Sequence, residues 1–443
     1  MSHANKLSLT TAMLICMNVM FGTGVFINTV PLAREAGALG FFSYCLIALL
    51  ALPLMLSMAA ILAYYPSGGF YTYAAATISP FAGFVSAWAY FVGKLASAAL
   101  LVNVFVTLLK NIFPALAINS LLLNSAILIL FAWLNLHRAE TGRKIMYLFM
   151  VLKLMPILFA ILSCLYLFNY WSMPPETFLW EGIPATLPLV LYAFIGFEVA
   201  TSISRNIENA RENAPKVILY SYFTVITFTI VYQLFFFLAV GTDLMAQTDF
   251  LGAFPALLHK LMPTRPIIAM HAKNLIHLIA ATSALGGAYG ILFSNHWNLY
   301  ALAQHKHTWF SKALTRMNKY EIPFWGVILE AVICISYLAL AQGKTTVLQQ
   351  ISVFGCLISY AFTIIALLKV YQQEQCKNKD TAHSTLLPWL AILSCLGLST
   401  MCVRNLLIHG PTALYAFFGL IALGIVMFIA TKKEHALLDL QKH

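Results

Sequence analysis

The groups able to hold or move charge within apolar sequence are few in this chain, and their spacing is informative. Met20-Phe21-Gly22-Thr23-Gly24-Val25-Phe26 sets two glycines around a threonine inside an apolar run. Tyr192-Ala193-Phe194-Ile195-Gly196-Phe197-Glu198 again puts a glycine mid-run and follows it with an acid. Lys94, Lys153 and Glu330 are further charges in such runs. Glycines lower helix stability and let a backbone unwind. Unwound backbone exposes free N–H groups at the start of one half-helix and free carbonyls at the end of the other. The first attract an anion and the second accept hydrogen bonds from a cation. Close packing of helices through small residues is the alternative reading of the first segment.

The charges need partners. Glu198 is costly at membrane depth unless it is paired, hydrated or protonated. Lys153, in Leu152-Lys153-Leu154-Met155-Pro156, lies about eight residues into its run, roughly 12 Å at helical rise. That is far for snorkelling to an interface, so a proton carrier or a fixed cation in place of a coupling sodium ion is expected there. Lys94 and Glu330 fit a proton path or a structural pairing inside the bundle. His277 is expected to be bonded locally rather than to act as a pH switch. His305-Lys306-His307 has no Cys or acid spaced to complete a metal site. No phosphate-binding loop, nucleophile elbow or zinc-protease motif is present.

The elements that carry these residues follow from composition. Hydrophobic residues make up 61% of the 443 and charged residues 9%, against roughly 25% charged in soluble domains. A soluble enzyme, a nucleic-acid-binding protein and a disordered scaffold are excluded, and the lipid bilayer is the surrounding medium. Apolar runs of spanning length fall at 8–31, 38–64, 80–109, 117–136, 145–169, 184–204, 217–241, 275–300, 322–341, 347–368, 385–403 and 411–431. The expectation is an all-α membrane protein of about 12 transmembrane helices, one transporter domain over 1–443. The first run is read as a retained helix rather than a signal peptide.

With twelve spans, 17 of the 26 Lys and Arg residues fall on the side of the termini. Cations concentrate on the cytoplasmic side, so both termini are expected there, and the net charge of +11 reports topology. The eight cysteines lack CxxC spacing and predict no disulfide framework. Residues 65–79 form an uncharged Gly- and Tyr-rich loop, expected to pack on the bundle. The amphipathic piece from Phe254 to Leu261 could cap an external vestibule or lie in the interface.

Interrupted spans at corresponding positions of two halves point to a transporter binding site. Here spans one and six open two five-span halves, 8–169 and 184–368, followed by two additional helices at 385–431. A zwitterionic amino acid, with both charges a short distance apart, suits two such breaks.

These residues resemble the amino acid–polyamine–organocation (APC) superfamily, specifically its bacterial amino acid permeases. Gly22-Thr23-Gly24-Val25-Phe26 resembles the family's GSGIF-type break. Tyr65-Pro66-Ser67-Gly68-Gly69-Phe70-Tyr71-Thr72-Tyr73 is similar to its P-x-G-G-x-Y-x-Y loop. Phe194 to Glu198 resembles its F-x-G-x-E, Glu208 to Pro215 the loop behind it, and Leu299 to Pro323 the stretch after span eight. The likeness covers spans one to ten. Ala210, Glu212, Trp297 and Gln304 depart from the usual pattern and bear on cytoplasmic gating contacts, while Ala288 weakens a stacking specificity for arginine-like substrates.

The resemblance implies a LeuT-type inverted five-plus-five repeat with broken helices 1 and 6, working by alternating access. It implies substrate contacts at Met20, Gly22, Thr23, Gly24, Tyr192, Phe194, Ile195 and Gly196, with Tyr192 a gating aromatic. Coupling falls to Lys153 and Glu198. The expected function is sodium-independent amino acid transport as a proton symporter or an exchanger, in the bacterial inner membrane, with no cofactor, metal or nucleic acid. A polyamine or organic-cation exchanger is the alternative. An integral membrane enzyme lacks a nucleophile or metal constellation, and broken helices disfavour a channel.

Overall fold

The computed structural model describes residues 7–21, 23–66, 68–137, 154–204, 207–377 and 384–440, with backbone alone for Asn18, Ser202, Lys377 and residues 433–440. Lys153 and Gly22 lie outside the described residues. The described chain is almost entirely helical; isolated bridges replace strands. In order, the helices are α1 (Leu9–Met20), α2 (Gly24–Ala36), α3 (Gly40–Tyr64), α4 (Phe70–Thr77), α5 (Pro80–Ile112), α6 (Ser120–Asn135) and α7 (Leu154–Tyr166). After three short 3₁₀ turns come α8 (Ile183–Phe194), α9 (Val199–Ile203), α10 (Ala210–Val240), α11 (Thr242–Met245), α12 (Ala253–Leu261) and α13 (Pro266–Gln304). The rest are α14 (Ser311–Leu314), α15 (Phe324–Leu340), α16 (Thr345–Lys377), α17 (Leu386–His409) and α18 (Pro411–Leu440).

Among the described residues, eight helical segments are long and apolar enough to cross a membrane. The helices α6, α7 and α15 are shorter apolar pieces, and α1–α2 make the first span in two parts. All twelve expected runs are therefore helical where described. The largest difference in length is at span eight, which starts at Pro266 rather than near 275. Pro266 sits in its first turn, where a missing N–H costs nothing.

The helix starts are written locally. Ser8 accepts a hydrogen bond from the Thr11 N–H, and Ser79 accepts one from the Ala82 N–H just ahead of Pro80, the capping chemistry that satisfies free donors. Helix α2 ends at Gly37, with φ of 60°, and α10 at Gly241, with φ of 63°, conformations that favour glycine.

Helix α5 is the hub and packs on α4, α6, α13, α15, α16 and α18. Its crossing with α16 is closest at two glycines: a Cβ on Gly355 would lie 2.6 Å from Gly93 Cα and 2.8 Å from the Ala89 carbonyl. One turn away the Ser359 hydroxyl donates to the Ser86 carbonyl at 2.7 Å. Without a hydrophobic driving force between helices in lipid, such close van der Waals contact holds them. The last two helices sit at the rim, with 28% and 33% of their apolar windows buried against 83% for α5.

The uncharged loop packs as expected and also contains α4. Phe70 and Tyr73 are buried, and Tyr73 donates to the Gly68 carbonyl at 3.0 Å. Tyr71 stacks on His305 at 4.4 Å and lies 2.8 Å from His307 Nε2; burial raises its phenol pKa. The two histidines thus dock the loop. All eight cysteines are free. On the same side, Leu7 forms a single parallel bridge with Ile207, and the Glu208 N–H donates to the Leu7 carbonyl at 3.0 Å.

Candidate functional site

Both predicted breaks are present, and they meet. Helix α1 ends at Met20 and α2 begins at Gly24, with Thr23 between them. Helix α8 ends at Phe194, after which Ile195 is extended and Gly196 has a φ of 140°, a conformation nearly confined to glycine. A Cβ on Gly196 would stand 2.9 Å from the Met20 nitrogen, and one on Gly24 would stand 3.1 Å from the Tyr192 ring. The breaks therefore pack on each other at two places.

A cavity of about 40 Å³ lies against them. Met20, Thr23 and Gly24 line it from the first break, and Tyr192, Ala193 and Ile195 from the second. Lys94, Ser97 and Leu101 of α5, and Ser283, Gly286, Gly287, Gly290 and Ile291 of α13, complete the wall. Tyr192 is held by its hydroxyl, 2.7 Å from Ser97 Oγ. Thr23 Oγ1 and Ser283 Oγ are buried and have no hydrogen-bond partner among the described residues. Buried hydroxyls left unpaired cost free energy, so both are groups that a polar ligand would satisfy.

Two of the expected residues sit elsewhere. Phe194 is fully buried but packs on Tyr44 at 5.7 Å and Tyr222 at 6.0 Å. Gly196 packs on Met20 rather than facing the cavity.

Glu198 is fully buried behind the second break. Lys94 Nζ lies 2.6 Å from its Oε1. Tyr90 donates to Oε1 at 3.2 Å, Tyr360 to Oε2 at 2.8 Å, and the Gly196 N–H to Oε2 at 2.7 Å. The carboxylate thus ties the unwound backbone to α5 and α16, with its charge neutralised. Lys94 is the site residue that the sequence reading left in the background. The signal was there, since a mid-span acid needs a cation, but the sequence reading gave the coupling role to Lys153 and left Lys94 to a proton path or a structural pairing. Ser97 and Ser283 gave no such signal, because a lone serine in a span looks like packing.

Below the pair, Phe70 of α4 packs on Tyr90 at 4.6 Å and on Tyr360 at 6.1 Å, so the loop forms a floor. Above, a second and smaller pocket shares Thr23 and is lined by Phe26, Val104, Leu108, Phe254 and His277, among others. Phe254 of α12 is buried against Phe26 and Phe236, each at 5.9 Å. The amphipathic piece is therefore a cap on the bundle. His277 Nδ1 is 3.2 Å from Asn111 Oδ1, a local contact of the kind expected.

Discontinuous helices around one central cavity define the class: a multi-pass helical membrane transporter. The chain belongs to the amino acid permease family, which it matches over residues 7–430. It is 22% identical over 424 residues to the aromatic amino acid transport protein AroP of Salmonella typhimurium (strain SL1344), covering 90% of this chain and 88% of that protein. It is 22% identical over 415 residues to AroP of Escherichia coli (strain K12), covering 86% and 85%. The amino-acid permease RocE of Bacillus subtilis (strain 168) is 25% identical over 412 residues, covering 87% and 85%. The family and these names support amino acid transport as the general activity.

Proposed function

We propose that the protein is a sodium-independent amino acid transporter of a bacterial inner membrane, working by alternating access as a proton symporter or an exchanger. The observation that carries this is the meeting of both breaks at one cavity, with the one ion pair found there among the described residues already closed on itself. The start of α2 offers free N–H groups to a carboxylate, and the ends of α1 and α8 offer carbonyls to an ammonium group. Thr23, Gly24, Met20 and Ile195 would make those contacts and Tyr192 would cover them. A polyamine would require free acids in the cavity wall. Glu198 is bound by four groups, so the geometry favours the zwitterion.

Lys153 supports sodium independence, because a second cation beside it would be repelled. Both termini are assigned to the cytoplasm on the Lys and Arg distribution. The inverted relation of 8–169 to 184–368 fits both halves opening on a broken span. Uptake of a labelled mixture of the common amino acids into sodium-free proteoliposomes tests the reading. Uptake driven by an inward proton gradient into empty vesicles means symport, and uptake that needs internal amino acid means exchange. No uptake in either arm refutes it.

A further inference from the structure

A second buried acid lies away from the central cavity, with no hydrogen bond among the described residues. Glu330 of α15 is 1% exposed, and neither carboxylate oxygen has a hydrogen-bond partner among the described residues. His296 of α13 faces it, with Nδ1 3.8 Å from Oε2, beyond hydrogen-bond range. That nitrogen is 2.8 Å from the Leu292 carbonyl, so it carries the hydrogen and points it away from the acid. Glu198, equally buried, has four partners. Glu330 has no such hydrogen bond among the described residues, and an unpaired carboxylate in an apolar interior is costly. One proton on the carboxyl removes that cost.

Among the described residues, the helices packed on α15 offer no fixed countercharge. Helix α5 brings Lys94, which is engaged with Glu198, and in its last turn Lys110, which donates to Ser120 Oγ at 2.9 Å. Helix α6 carries no ionisable side chain, α14 only the exposed Lys312, and α18 the exposed Tyr415 and Lys432 among its described side chains. On α15 itself Cys334 donates to the Leu95 carbonyl at 3.3 Å.

The place is wired to the cavity. Asn295, next to His296, donates to the Phe91 carbonyl at 3.0 Å, one turn before Lys94 on α5. Helix α13 also supplies Ser283, Gly286, Gly287, Gly290 and Ile291 to the cavity wall. A charge change at Glu330 therefore acts on a helix that touches the substrate space and on the contact between α13 and α5.

We propose that Glu330, beside His296, is the proton-binding site that couples amino acid movement to the proton gradient. This rests on the transport reading above. The proton adds to the carboxylate as substrate binds and leaves to water after the site has turned over, with no other reactant.

Wild type and Glu330→Gln, which mimics the protonated acid, are compared in proteoliposomes with the labelled amino acid mixture. The expected result is that E330Q loses accumulation under an inward proton gradient but still exchanges external for internal amino acid. Wild-type accumulation by E330Q overturns the proposal. So does a wild type that exchanges amino acids while no proton enters with them, and in that case the transport reading stands. If wild type moves no amino acid at all, the transport reading fails, and the proton site is judged by infrared difference spectra. A pH-dependent carboxylic C=O band present in wild type and absent in E330Q upholds the site; its absence from wild type refutes it. Should E330Q fail to fold, Glu330→Asp is read by the pH profile of gradient-driven uptake. A shift supports the assignment and an unchanged profile overturns it.

Discussion

At the scale of single residues, the pair of Lys94 and Glu198 is the joint on which the second break depends. Removing one partner of a buried ion pair strands the other, at a cost of about 3–5 kcal/mol. Lys94→Ala is therefore expected to lower the thermal midpoint of the detergent-solubilised protein and to abolish uptake. A variant with unchanged melting would mean that the two tyrosines and the Gly196 N–H hold Glu198 without Lys94. Gly196→Ala tests the break itself. The added methyl meets the Met20 backbone at 2.9 Å with φ at 140°, and strain of about 1–3 kcal/mol predicts roughly tenfold or greater loss of uptake rate. Wild-type uptake by G196A would show that the segment has room to relax.

At this scale the sequence was legible wherever a residue type is expensive. Gly24, Gly196 and Glu198 announce themselves because glycines weaken helices and carboxylates avoid lipid. The partner of Glu198 was not legible, because choosing between two mid-span lysines requires knowing which helix passes the break. Phe194 could not be told from its neighbour Ile195, since unwinding changes the direction in which each side chain leaves the backbone.

At the scale of elements, hydropathy located every span that is described, because twenty apolar residues in a row have few other uses. The short helices needed three dimensions. Helix α4 lies within a loop with no periodic signal, and α12 read equally well as an interfacial helix. The packing of Phe254 over the upper pocket makes α12 a lid on the outer approach in the transport reading. Phe254→Ala is expected to speed labelling of a cysteine introduced at Ala280, which lines that pocket, by a membrane-impermeant thiol reagent. The rate is compared with the same cysteine in the Phe254 background. Equal rates would mean that access runs elsewhere.

At the scale of the whole molecule, α5 and α16 cross without side chains between them at Gly93 and Gly355, while the two breaks hang beside that crossing. The arrangement separates a stiff frame from two hinged spans. Gly355→Leu would have to push the two hub helices apart, so a loss of the monodisperse peak in size-exclusion chromatography is expected. Gly397→Leu, on α17 where an added Cβ meets nothing within 4 Å, is expected to leave the peak intact. If both behave alike, the crossing is not the frame.

The bridge between Leu7 and Ile207 has a practical side. It leashes the front of the first span to the chain leaving the sixth, so both broken spans share one tether. A bulky fusion placed ahead of Leu7 loads that tether like a weight on a door handle. One placed after α18 hangs from a doorpost, since that helix stands at the rim. Affinity tags accordingly belong at the C-terminus. A small fluorophore meant to report the swing belongs beside Leu7.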